Sequence, residues 1–291
     1  MTIGIIALRR LDNSKDLPRF FKAAKKLGIK AKFYLPSDII ITIKKQKIVI
    51  LDRDRRPVVL DGVINWVPYS NIEEISYAFQ SIGVPFINSN TVVRNCRNKV
   101  LTNILLNKHD ILQPYTEYYP SYGKHDDIKL GTSMPSVYKN KSGTHGIGAT
   151  KFENDKQFKA FLKTKDSQKS LYFQKFIENK GYDFRVVVVG GKLLGTIKKT
   201  HAKGEWRTHV AYGGKVRAVD ADEELKKISL KATYALNTHF SGIDVMRGVD
   251  GKYYVLEANS VPGMSIFHEA TGINIGMEIL KHLIGIIEDE S

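Results

Sequence analysis

Residues 241–263, SGIDVMRGVDGKYYVLEANSVPG, set two short strands around a turn. Gly248-Val249-Asp250-Gly251 supplies the turn, because Asp and Gly tolerate the tight dihedrals of a hairpin. The second strand, 253–259, ends in Glu257-Ala258-Asn259. Residues two apart on a strand share a face, so Glu257 and Asn259 point the same way, and Asp244 on the neighbouring strand can reach that face. Two carboxylates and an amide oxygen are hard ligands that suit Mg²⁺ and leave positions open for phosphate oxygens. The stretch alone is equally compatible with solvated strand ends, so the rest of the chain has to decide.

At 291 residues the chain is long enough for a core divided over two or three lobes. A single cysteine, Cys96, excludes an internal disulfide framework and fits a reducing compartment. No apolar run approaches membrane-spanning length, and residues 3–8 are too short for a signal core, so a cytoplasmic location is expected. The formal net charge of +15 implies a negatively charged partner: nucleic acid, an acidic peptide or a phosphorylated small molecule. A lysine-rich solvated surface would give the same balance.

From the N-terminus, an apolar strand over 2–8, an amphipathic helix over 17–27, a strand over 30–34, a strand-rich stretch over 39–59, a strand over 63–67 and a helix over 72–82 describe a βαβ-type lobe. No Gly-rich dinucleotide fingerprint follows its first strand. Residues 94–109, RNCRNKVLTNILLNKH, follow the pattern of one helix with Leu101, Ile104 and Leu105 inward and Lys99 near its start. In 136–148, SVYKNKSGTHGIG, a strand carrying Lys139 runs into a loop with Gly143, Gly146 and Gly148. Glycines let backbone N–H groups wrap phosphate oxygens, and a preceding lysine adds a point charge. A glycine-bearing hairpin loop has the same composition. The strand over 170–177 leads to Glu178, an arrangement suited to an adenine edge and ribose hydroxyls, though also to a plain central strand. A hairpin across Gly190-Gly191 carries Asp183 and Arg185 on one face, with Lys198 and Lys199 at the far end of its second strand. Helices over 221–236 and 273–287 complete the pattern.

In their order along the chain these stretches resemble the ATP-grasp superfamily, and within it the RimK-like carboxylate–amine ligases. Lys99 and Tyr138-Lys139 match the two ATP lysines, followed by the glycine loop THGIG. Gln174-Lys175-Phe176-Ile177 is similar to the hinge that grips adenine. Gly181, Asp183 and Arg185 match a Gly-x-Asp-x-Arg run, Trp206-Arg207-Thr208-His209 falls where the family has aromatic-Arg-Ser/Thr-Asn, and Asp244, Glu257 and Asn259 match the Mg²⁺ ligands. His209 departs from the family Asn. The hinge has Gln-Lys where an acid often follows the Gln, which passes the ribose contact to Glu178.

The resemblance implies an α/β (α+β) ATP-grasp fold. Residues 1–92 would form a Rossmann-like pre-ATP-grasp domain and 93–291 the ATP-grasp domain, with a smaller lid-bearing part at about 114–176 and a larger metal-binding part at about 177–291. It implies ATP bound by Lys99, Lys139, Gly143, Gly146, Gln174, Lys175, Phe176, Ile177, Glu178 and Asp183. Two Mg²⁺ ions, with Mn²⁺ as an alternative, would sit on Asp244, Glu257 and Asn259, and Arg185, Arg207 and Lys198 would act on the reacting groups. The implied reaction activates a carboxylate as an acylphosphate and couples it to an amino acid, glutamate foremost, on an acidic acceptor such as a protein tail, carrier protein or glutamylated cofactor. His145, His209 and His268 are candidate bases for the amine. The alternatives are a peptide ligase joining other amino acids and an inactive basic nucleotide- or nucleic-acid-binding protein. Intact metal ligands argue against the last. A membrane partner is not expected, nucleic acid is disfavoured, and a homo-oligomer is left open.

Overall fold

Residues 2–7 are almost continuously apolar, as befits a strand covered on both faces, and they form β1 (Thr2–Ala7) inside a parallel sheet. The computed structural model describes residues 1–8, 14–69, 72–120, 128–141, 148–164, 169–208 and 212–289. Helix α1 (Leu17–Lys26) buries Leu17, Phe20, Ala23 and Ala24 at helical spacing and leads to β2 (Lys30–Tyr34). A separate hairpin, β3 (Ile40–Lys44) and β4 (Lys47–Leu51), precedes β5 (Gly62–Trp66), α2 (Glu73–Ser81) and β6 (Phe86–Ile87). The sheet order is β2-β1-β5-β6, all parallel.

The helix expected over 94–109 is two helices, α3 (Asn90–Arg97) and α4 (Lys99–Asn107). Asn98 is extended between them, and its side-chain oxygen accepts from the backbone N–H groups of Val100 and Leu101. That cap restarts the helical phase. Lys99, Thr102, Asn103 and Leu106 become the buried face, and Ile104, expected inward, is 48% exposed.

The next sheet is small and antiparallel. Its strands are β7 (Thr116–Tyr119), β8 (Ser136–Tyr138), β9 (Thr150–Phe152) and, after helix α5 (Asp155–Leu162), β10 (Leu171–Lys175), in the order β7-β10-β8-β9. Phe152, Phe158, Leu162, Leu171 and Phe173 fill the space beneath α5.

The largest sheet contains β11 (Tyr182–Val189), β12 (Lys192–Thr200) and β13 (Lys215–Val219), then, after α6 (Glu223–Ala235), β14 (Phe240–Arg247) and β15 (Tyr253–Asn259). Its order is β13-β12-β11-β14-β15, antiparallel throughout. Two helices end the chain, α7 (Met264–Thr271) and α8 (Ile275–Asp289). The sequence pattern had not singled out β9, β13 or α7.

One face of the large sheet packs Val186, Val188, Ile243, Val245 and Val255 against residues of α3, α4 and α6. The other face shares a core with the N-terminal lobe: Val187, Val189, Ile197 and Phe240 meet Phe20, Ile64 and Trp66, with Phe267, Ile279 and Leu283 from α7 and α8. Asn88, fully buried just after β6, donates to the carbonyls of Phe240 (2.8 Å) and Ser260 (3.2 Å) and accepts from the N–H of His239 (2.8 Å). Unpaired, those buried polar groups would each cost about 1–3 kcal/mol, so this side chain fixes the lobe against the start of β14 and the end of β15. Among the described residues no single helix is long and apolar enough to cross a membrane.

Candidate active site

The hairpin at 241–263 forms as its sequence suggests, closed by the Gly248 N–H donating to the Lys252 carbonyl at 2.9 Å. Its register sets Asp244 opposite Glu257 and Gly242 opposite Asn259. Leu256 is a bulged residue, since Val245 pairs with Val255 on one side of it and Asp244 with Glu257 on the other. Bulges re-aim side chains next to sites. Here the bulge keeps Asp244, Glu257 and Asn259 on one face, lining a cavity of about 840 Å³ between the sheets and the N-terminal lobe.

On β11, Arg185 lies opposite Asp244. Its fork donates to both carboxylate oxygens, Nε to Oδ1 at 2.8 Å and Nη2 to Oδ2 at 2.7 Å, the bidentate geometry that a guanidinium favours. Gly242 makes room for it: a Cβ there would sit 3.4 Å from the Arg185 Cδ and 3.2 Å from the Pro262 Cβ. Lys199 completes the cluster, 2.9 Å from Asp183 Oδ1 and 3.3 Å from Asp244 Oδ1. Thr208 Oγ1 donates to the other oxygen of Asp183. Across the cavity, Lys99 Nζ lies 3.2 Å from Glu257 Oε2, and Lys139 Nζ donates to Gln174 Oε1 at 2.7 Å.

Burial and charge pull these groups in different directions. Burial alone would raise the Asp244 carboxyl, but Arg185 and Lys199 beside it outweigh that and hold it well below the usual carboxylate range. Glu257 is likewise lowered, with burial opposed by Lys99. Asp183 is raised, because its burial exceeds the help of Lys199. Burial pushes the Lys139 ammonium down to about 8. Within this cavity Lys99, Lys139, Arg185 and Lys199 face Asp183, Asp244 and Glu257. The surplus is positive, as a polyphosphate requires.

The sequence-derived residues are placed unequally. Lys99, Lys139, Gln174, Lys175, Phe176, Ile177, Asp183, Arg185, Arg207, Asp244, Glu257 and Asn259 all line the cavity. Both oxygens of Asp183 are engaged within the protein, so it supports its neighbours instead of offering a free ligand. Arg207 is held by Glu205, with Nε to Oε1 at 2.9 Å and Nη2 to Oε2 at 2.7 Å, and lies 3.7 Å from the centre of the Tyr212 ring. Glu178 is exposed and outside the cavity wall, one residue past the segment that lines it. Gly143, Gly146, His145 and His209 lie outside the described residues. His268 Nδ1 is 3.1 Å from the Ile273 carbonyl oxygen, and His268 is not part of the cavity wall.

Lys198 requires correction. It pairs with Phe184 on the face turned away from Arg185, and its ammonium lies 3.4 Å from the centre of the Tyr182 ring. An unbroken register from the Gly190-Gly191 turn would set Lys198 opposite Asp183. A bulge at Leu194 shifts the pairing by one residue, because Val188 pairs with Leu193 but Val187 with Gly195. Lys199 therefore takes the inward position.

Residues 96–283 match the RimK-like ATP-grasp domain. The chain belongs to this family. Among its relatives, "Probable alpha-L-glutamate ligase" of Parasynechococcus marenigrum (strain WH8102) is 31% identical over 212 residues, 72% of this chain and 45% of the relative. The same-named protein of Syntrophotalea carbinolica is 27% identical over 97% of this chain and 95% of its own length. "Alpha-aminoadipate--LysW ligase LysX" of Saccharolobus solfataricus is 28% identical over 71% of this chain and 76% of its own length. The chain thus spans about half the length of the first of these relatives and nearly all of the second. Among solved structures, the ATP-grasp ligase PsnB complexed with minimal precursor superposes with a TM-score of 0.76 at 16% identity, over 97% of this chain and 98% of that one. PsnB with minimal precursor, Mg and ADP gives 0.75 at 15% identity, over 98% and 97%. These likenesses establish the ATP-grasp fold.

In this RimK-like chain the donor set fits Mg²⁺. Asp244 and Glu257 supply hard carboxylate oxygens on adjacent strands, and Asn259, whose Nδ2 lies 3.5 Å from Asp244 Oδ2, has its amide oxygen left over. Among the described residues no group of three or more His, Cys, Asp or Glu forms an all-ionisable metal cluster.

Proposed function

We propose that this chain is an ATP-dependent ligase that joins an amino acid, glutamate foremost, to a carboxylate of an acidic acceptor. One observation carries the reading. Arg185, bidentate on Asp244, whose other neighbours are Glu257 and Asn259, sets a guanidinium fork against a hard-oxygen donor set in one buried cavity. A binding module needs no such pairing, and this disfavours an inactive basic protein.

The reaction needs charge neutralisation and positioning more than covalent help. The acceptor carboxylate attacks the γ-phosphorus of ATP, ADP departs, and the acyl group is left on phosphate. The amine nitrogen then attacks the acyl carbon, phosphate leaves, and the proton of the incoming ammonium passes to a base. Asp244, Glu257 and Asn259 would hold Mg²⁺, which when bound neutralises phosphate charge. Lys99 and Lys139 face the polyphosphate as cations. The 174–177 segment offers adenine a backbone edge walled by Phe176, whose ring packs edge-on against Trp206 at 6.2 Å. Arg185 would hold the transferring phosphoryl group, and Arg207, fixed by Glu205, the reacting carboxylate.

A relative named for ligating alpha-aminoadipate to LysW, and a fold neighbour solved with a precursor peptide, support a peptide or protein acceptor. The +15 balance supports an acidic one. The test is ADP release with MgATP, screened over amino acids against glutamate-terminated peptides. Release that needs both an amine and a carboxylate acceptor is expected. Release independent of both would defeat the reading.

A further inference from the structure

The N-terminal lobe contributes a second end to the cavity, and its topology explains why. In the order β2-β1-β5-β6 the chain leaves β1 to one side for β2 and returns on the other side for β5. The segments after β1 and β5 therefore diverge, opening a crevice at the carboxyl ends of those strands, where open parallel sheets bind ligands. Leu8 and Lys15 from the first segment, and Trp66, Pro68 and Tyr69 from the second, line the cavity. The first strand lacks a glycine fingerprint, and Lys139, the 174–177 segment and Asp244, Glu257 and Asn259 come from the other two sheets and the segments next to them. This crevice is available to the other substrate.

Arg97 faces it. In a continuous helix Arg97 and Lys99, two residues apart, would point to opposite sides. The extended Asn98 between α3 and α4 lets both line the cavity. Their surroundings differ. Lys99 meets Glu257, whereas no Asp or Glu among the described residues lies within ion-pair distance of Arg97, whose guanidinium carbon is 4.8 Å from the centre of the Tyr69 ring. Tyr69 is 45% exposed, so the ring serves as a platform at the mouth of the crevice and not as core. A half-buried guanidinium backed by a ring keeps a planar fork of donors, the group that best matches a planar carboxylate.

We infer that Arg97, on its Tyr69 platform, holds a second carboxylate of the acceptor, one that the reaction does not consume. The inference rests on the ligase reading and deepens it: the acceptor ends in a dicarboxylate residue, one carboxylate reacting at the Arg185 end and the other held at the Arg97 end. Arg97 acts on specificity, upstream of the chemistry.

The test measures binding, by calorimetry on the full chain with and without MgADP, so it does not depend on turnover. The probes are N-acetyl-Ala-Glu, with two carboxylates and no free amine, N-acetyl-Ala-Gln, with one, and free L-glutamate. The wild type is expected to bind the Glu peptide about ten-fold or more tighter than the Gln peptide, as a charge-assisted bidentate contact implies. Arg97→Ala is expected to reduce that preference to about two-fold or less, with MgADP and L-glutamate affinities unchanged. Arg97→Lys keeps the charge but not the fork and should fall between. Tyr69→Leu, which removes only the platform, should weaken the Glu peptide about three-fold. Melting curves establish that each variant is folded. Absence of preference in the wild type overturns the inference, as does preference surviving in Arg97→Ala. A loss confined to L-glutamate would assign the site to the amine donor and overturn it equally. A wild type that binds no MgADP would defeat the ligase reading instead, while the peptide comparison without nucleotide still decides the role of Arg97.

Discussion

On one face of β11, β14 and β15, Val186, Val188, Ile243, Val245 and Val255 are sealed among apolar residues of three helices. On the other face of the same strands Asp183 and Asp244, only 5% and 3% exposed, are withdrawn from water almost as completely. The apolar face needs nothing but shape, so each side chain there contributes through burial and packing. The charged face is stable only as a set, because desolvating a lone ion costs several kcal/mol and the cost is offset only where every charge has its partner. Alternation along a strand thus gives one sheet a tolerant face and an interdependent one. The interdependent half begins where the shared core ends, at the step from Val187 to Arg185 on β11.

The largest effect that separates the faces is expected at Glu257. Glu257→Gln keeps the shape and a hydrogen-bonding group but removes the charge. ADP formation should fall by roughly 10²–10³-fold or more, with the fold retained at a lowered melting temperature, because Lys99 loses its charged partner. Near-normal turnover would remove the metal assignment.

Second comes the pair of adjacent lysines. Lys199→Met strips a buried partner from both Asp183 and Asp244, which by the cost of breaking buried pairs is about 3–5 kcal/mol. Lys199→Arg should recover part of it. Lys198→Met, one residue away on the other face, should stay within about 0.5 kcal/mol. Denaturant unfolding of the three variants sharpens the comparison to a single strand position, and equal losses at 198 and 199 would break it.

Ile243→Ala tests the tolerant face. It should lower stability by about 2–5 kcal/mol and, in molecules that remain folded, leave ADP formation within about two-fold of wild type. A rate loss in proportion to that at Glu257 would show that the faces are not separable.

The smallest effect is a pH dependence away from the cavity. His239 Nδ1 and His282 Nε2 are 3.0 Å apart. Burial, with His282 adding to it, pushes the His239 imidazole down to about 4, and burial lowers His282 as well. The unfolded chain protonates first as pH falls, so this contribution is fully present above about pH 6.5 and is lost between there and about pH 4. At about 1.4 kcal/mol per pH unit the loss for His239 is at most roughly 3.5 kcal/mol. Melting temperature should therefore drop on acidification through that window, and His239→Asn should flatten the slope.

Much of this was legible in the sequence because it is local. The 241–263 hairpin declares itself through a turn tetrapeptide and period-two spacing; Gly181 comes from the resemblance, and the structure supplies its reason, a φ of +80° where a Cβ would also strike His201. Three features were not legible. The bulges at Leu194 and Leu256 are set by which partner residues pair, and neither leucine looks different from its neighbours. The break at Asn98 looks like a polar residue within a helical run, because the cap that restarts the phase competes with helix continuation by only about 1 kcal/mol. Ile104 as an inward residue follows from counting along a helix whose phase restarts at Asn98, and Lys198, given its role by the resemblance, is turned outward by the bulge at Leu194.

The core joining the N-terminal lobe to the large sheet bears on inheritance. The region matched by the family, residues 96–283, begins after the lobe and stops inside α8. Phe20, Ile64 and Trp66 lie upstream of it and cover Phe240 and Leu283 within it. The matched family domain is therefore shorter than the stretch whose side chains share one core. A chimera that grafts another lobe onto this chain at residue 92 must carry matching side chains for Phe240, Phe267 and α8, or leave them facing water.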